Sequence, residues 1–205
     1  MQLQKIIACA TMAFASMAGH AAYIVDTGGN PGGTSWSFDV DQYFAGEFSI
    51  GSAHTINSVE GFYQHNTGSG NVSISLHADG GNIPGTVLFS SSHAFGGNTA
   101  LDWHGVFGLG WNVGPGTYWV SFEPDGFVGG IHPGDAPNPL LEYAQNNGVS
   151  GGGWQDAGAD FFDYLDVGIR IDAGPGGQVP EPGSLALVAG ALLLLGASRR
   201  NLVGK

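Results

Sequence analysis

Cysteine is nearly absent from this chain. The single thiol, Cys9, lies in the first apolar stretch of 205 residues, so no disulfide framework holds the fold and stability must come from the core. Basic residues are almost as scarce, five Lys and Arg against 17 Asp and Glu. Only Arg170 of the five falls within residues 23–178 and only Glu181 of the acids falls outside them, which gives that stretch a net charge of −15 with neutral histidines. Such a field repels nucleic acid and anionic lipid, whose binding needs clustered Lys and Arg. Helical periodicity is the third absence. No run of eleven or more residues in 23–178 has apolar spacing near 3.6 without an intervening Gly or Pro.

What is present at the two ends reads as address labels. Lys5, the apolar or small-residue run Ile6–Met17 and the small residues around Gly19-His20-Ala21 form a secretory signal peptide over 1–22. At the other end Val179-Pro180-Glu181-Pro182-Gly183 is followed by the uncharged run Leu185–Ala197 and then by Arg199-Arg200 and Lys205. The prolines keep the backbone before the run out of its helix. The run is shorter than the roughly 20 residues of a comfortable bilayer span. The terminal cations hold the extreme end on the cytoplasmic side. An accessible extended peptide then sits outside the membrane, where a processing enzyme can grip it.

This three-part tail resembles the PEP-CTERM sorting signal of Gram-negative bacteria, on Val179, Pro180, Glu181 and Pro182, the apolar helix and the basic stop Arg199 and Arg200. The resemblance covers residues 179–205 and implies destination, not fold or activity. It implies signal peptidase and exosortase as processing partners and a membrane-held stage through the C-terminal helix. Release or attachment at the cell surface follows, in a cell that makes exopolysaccharide.

Between the ends, residues 23–173 read as one domain, with 174–178 as a linker to the sorting signal. Gly, Asn, Ser and Pro punctuate short alternating runs. Strands are expected over 34–40, 47–50, 55–65 with a bulge near Glu60-Gly61, 71–77, 86–90, 117–122 and 164–171. One or two more are expected in 101–111 and a short one at 140–144 inside a loop-like 129–153. Tyr118, Val120 and Phe122 share a core face, while Trp119 points the other way. The pattern predicts an all-β fold, an antiparallel β-sandwich of jelly-roll-like form.

The candidate chemistry is sparse. Gly148-Val149-Ser150-Gly151-Gly152 matches the nucleophile-elbow spacing, but its flanks lack the strand and helix that hold such a serine in a strained turn. Six histidines, His54, His65, His77, His93, His104 and His132, form no i, i+4 ligand pair. Asp156, Asp160 and Asp163 are the candidates for a structural calcium, although their spacing is not that of an EF-hand; no other cofactor is expected. Asp79 with Asn82 is a second calcium candidate, although the stretch Asp79–Gly85 reads first as a strand-joining turn. Trp103, Trp111 and Trp154 lie in or beside Gly-rich segments, where exposed indoles could stack on sugar rings, whereas Trp36 reads as core. The sequence thus points to an exported, non-catalytic surface or matrix protein associated with exopolysaccharide. A carbohydrate-binding module using the loop tryptophans is the alternative, and a secreted hydrolase comes third.

Overall fold

A computed structural model describes residues 23–66, 68–126, 129–134, 140, 143–146, 153–156 and 166–175. The leader and the sorting tail lie outside the described residues. So do Ser150, Asp160, Asp163 and Leu165. Among the described residues there are twelve strands and no helix. In chain order they are β1 (Tyr23–Asp26), β2 (Trp36–Phe38), β3 (Tyr43–Ile50), β4 (His54–His65), β5 (Ser69–Asp79) and β6 (Pro84–Gly96), then β7 (Asp102–Val113), β8 (Gly116–Pro124), β9 (Gly129–Ile131), β10 (Tyr143–Asn146), β11 (Gln155–Asp156) and β12 (Ile169–Pro175).

They form two sheets, and every pairing is antiparallel. The first runs β1-β12-β4-β9-β2, with β7 also on β4. Tyr63 pairs with both Asp102 of β7 and Ile131 of β9, so those two strands lie on opposite edges of β4. The second sheet runs β11-β10-β3-β8-β5-β6. Alternation along each strand sends one set of side chains to a shared core. Val59, Tyr63, Ile131, Ile169 and Ile171 come from the first sheet, and Phe44, Ile74, Leu76, Val120 and Phe122 from the second. The sheets approach closely at Gly61, where an added Cβ would lie 2.9 Å from the Phe122 ring.

Several expected boundaries move, each for a physical reason. The expected strand 34–40 shrinks to 36–38, because the Asp39 carboxylate accepts the Asp41 N–H and Gln42 N–H bonds the Asp39 carbonyl, closing a turn. Val40 is consequently 41% exposed. The irregularity in β4 falls between Ile56 and Ser58, not at Glu60-Gly61. The buried set switches there from Ile56 to the odd-numbered Val59, Tyr63 and His65, as an extra residue requires. Residues 101–111 yield one long strand, β7, and β6 extends well beyond 86–90. The loop-like stretch 129–153 contributes β9 and β10, and β10 begins at Tyr143 rather than at Leu140. β12 starts later than expected and pairs Gly174 with Thr55 and Pro175 with His54, so sheet structure runs past residue 173.

Candidate functional site

Three places bring polar or aromatic groups together. The first is the outer face of the second sheet. Residues directly opposite in antiparallel strands share a face, and the register sets His77 against Trp119 and Trp119 against Glu47, with Ser75 against Ser121 and Ser121 against Ala45. Trp119 is fully buried on this side with Ala45 and Ala144, and Trp154 packs half-buried on the same cluster. Its indole meets the His77 ring edge-on at 6.2 Å.

A polar chain crosses this face. His77 Nδ1 lies 3.1 Å from the Gly85 carbonyl, and its Nε2 lies 2.8 Å from Ser121 Oγ, which donates to Glu123 Oε1 at 2.7 Å. Beside Glu123, burial together with the charges of Glu123, Asp41 and Asp39 raises the Tyr43 hydroxyl above its ordinary range. The Ser–His contact superficially suggests a nucleophile and base. Ser121 is fully buried and also engaged by Glu123, however, so its oxygen faces no substrate in this arrangement. The rim carries the Asp79–Asn82 turn, where Asp79 Oδ1 accepts the Gly81 N–H and the Trp119 indole N–H. Asn82 Nδ2 donates to Asp156 at 3.3 Å. Asp156, far away in sequence, is thereby brought to the Asp79–Asn82 turn.

The second place lies between the sheets. His65 from β4, His104 from β7 and His93 from β6 gather around Tyr63. Ring centroids are 5.9 Å apart for His93–His104, 6.3 Å for His65–His104 and 5.1 Å for Tyr63–His104. His65 is 1% exposed, and neither ring nitrogen has a hydrogen-bond partner; the buried Tyr63 hydroxyl lacks one too. Burial, reinforced by the neighbouring imidazoles, lowers the pKa of His65 and of His93 below the ordinary histidine value, and the Gly105 carbonyl partly opposes this at His93. Desolvation raises Tyr63 well above the usual phenol range.

The third place is the outer face of the first sheet. The Arg170 guanidinium sits 3.9 Å from the Trp103 ring centroid and bonds Asp26 at 2.8 Å, while Phe62 lies against Trp103 at 5.1 Å. Glu60 is raised by burial and by Asp102, Asp172 and Asp26, with Arg170 pulling the other way.

The three tryptophans singled out as sugar platforms thus part company. Trp111 lies within β7, 7% exposed and stacked on Phe89 at 12° and 5.6 Å, which makes it core. Trp103 is also a strand residue, in contact with Phe62 and Arg170. Trp154 is half-buried like Trp103, but it lies on the face that carries His77 and the Trp119 cluster. Of the calcium candidates only Asp156 is described, and it is engaged by Asn82. The histidine gathering and the His77–Ser121–Glu123 chain were not legible in the sequence, because their members come from different strands. The inward parity of His93 and His104 was the only available signal. No protein-family model, curated protein or solved structure matches this chain.

Proposed function

We propose that this chain is an exported, non-catalytic surface or extracellular-matrix protein, an acidic jelly-roll-like β-sandwich carried between a signal peptide and an exosortase-processed tail. The observation that carries the reading is the order of Val179-Pro180-Glu181-Pro182, the apolar run and Arg199-Arg200 at the C-terminus. Support comes from the bracketed domain itself. Its antiparallel sheets bury a continuous apolar core without disulfides, and its charge of −15 over 23–178 favours solubility outside the cell. Intact mass of the extracellular form tests it. The expected product begins near Tyr23 and ends between Pro180 and Gly183. An extracellular product that retains Arg199 to Lys205 overturns the reading.

A second reading, glycan binding, is favoured by one specific arrangement. Trp154 lies on the Trp119–Ala45–Ala144 surface, on the side where Asp79, Asn82 and Asp156 gather, so an apolar plane adjoins groups able to bond sugar hydroxyls. On this reading, Trp154→Ala abolishes saturable binding to the producing cell's exopolysaccharide. Trp103→Ala leaves it intact, because that indole is already engaged by Arg170 and Phe62. Equal binding by wild type and Trp154→Ala discards this second reading.

A further inference from the structure

A buried imidazole with neither nitrogen satisfied is costly in a core, and His65 is such a group. It does not stand alone. His104 lies against it, His93 lies against His104 in turn, and a buried phenol with no partner completes the group. His132 makes the contrast. Its ring nitrogens are also buried and unpartnered, but its ring contact is the edge-on face of Phe62 at 6.2 Å. Hydrophobic packing alone would be better served by phenylalanine at position 65, where Phe95 already lies 4.8 Å away. Three neutral imidazoles are instead the donor set that zinc and its divalent neighbours take up.

We propose that His65, His93 and His104 bind one divalent transition-metal ion of the zinc class. Metal–nitrogen bonds of about 2.0–2.1 Å place the ring centroids of two ligands roughly 5 Å apart, and the two pairs in ring contact, both through His104, exceed that by about one ångström at 5.9 and 6.3 Å. As the side chains stand, no group of three His, Cys, Asp or Glu among the described residues is placed to hold a metal ion, and His104 Nε2 lies 3.3 Å from the Ala100 carbonyl and 3.4 Å from Thr99 Oγ1. Binding therefore draws the rings together by side-chain rotation, with the strands left in place. His93 and His104 are half-buried on the neighbouring strands β6 and β7, which provides an entry path, while His65 closes the inner end. The lowered proton affinity of His65 and His93 keeps them in the neutral form that a metal needs. Tyr63, held as a neutral hydroxyl by its burial, is placed to hydrogen-bond a water completing the coordination.

The test uses the full-length chain, stripped with chelator and dialysed against Zn2+ alone, with bound metal counted per chain. One ion per chain is expected. His65→Phe and His93→Phe each weaken uptake by about tenfold or more, as loss of a direct ligand must do if outer-shell changes already cost that much. His54→Phe and His132→Phe leave uptake unchanged. His65→Phe removes two unpaired buried nitrogens and is expected to fold as well as wild type without metal. Should it not fold, Co2+ loading of the wild-type chain and of His93→Phe decides the matter, because a nitrogen-rich tetrahedral site gives strong visible absorption that the variant loses. A wild-type chain that takes up no Zn2+ overturns the site. So does equal uptake by wild type and both ligand variants, or Co2+ loading without that absorption.

Discussion

Ser121 shows how much one residue can hold. Its hydroxyl links His77 to Glu123 on a face where all three side chains are wholly or partly shielded. Ser121→Ala leaves two polar groups facing a methyl, and the expected loss is about 1–3 kcal/mol in urea unfolding. A change below a few tenths would mean that water replaces the hydroxyl. The histidines give a pH signature. His65, His93 and His132 titrate below 6.5 when folded, so the unfolded chain binds their protons first. Their stabilising share is fully present above about pH 6.5 and is lost as pH falls through that value toward their folded pKa values. Glu60, whose pKa is raised, works in the opposite direction at lower pH. The informative measurement is therefore the difference between wild type and His65→Phe, in chelator: unfolding midpoints should fall less between pH 7.5 and 5.5 in the variant, about one unit to either side of the histidine value. Parallel pH profiles would contradict the burial argument. At this scale the sequence was least informative. Trp111 sits among glycines, and only the stacking on Phe89 shows it to be core.

At the scale of elements, β4 is the strand around which the first sheet is built, flanked by β12 and β9 on one edge and β7 on the other. Its contact with β7 depends on Gly105, opposite Glu60, where a Cβ would collide with the Val59 carbonyl. Gly105→Ala should cost about 3 kcal/mol or more, because backbone cannot step aside as a side chain can. Thermal unfolding within a few degrees of wild type would show that the pair spreads instead. Clean alternation made β5 legible, and the Tyr118, Val120 and Phe122 face of β8 was legible for the same reason; Val120 and Phe122 are indeed fully buried. The length of β7 and the site of the β4 irregularity were not, since a bulge shifts parity and glycine carries no facing signal.

At the scale of the whole molecule, charge dominates. Arg170 is the only Lys or Arg between residues 23 and 178, and it sits among Asp26, Glu60, Asp102 and Asp172. Self-repulsion of the remaining acids predicts that moderate NaCl raises the urea midpoint by screening. Arg170→Gln should lower stability by about 1–2 kcal/mol at low salt, through the lost contacts to Asp26 and the Trp103 ring. A wild-type midpoint that does not respond to salt would count against the repulsion argument. The sequence by itself determined the β class, the turn at Asp79–Gly85 and most strand positions. These follow from side-chain period and turn chemistry, which are local properties of the chain. Only the tertiary structure decided which tryptophans are core, that Asp156 meets Asn82, and that three histidines surround Tyr63. Each of those depends on which strands become neighbours and in what register, and pairing across such distances is set by the packing of two whole sheets.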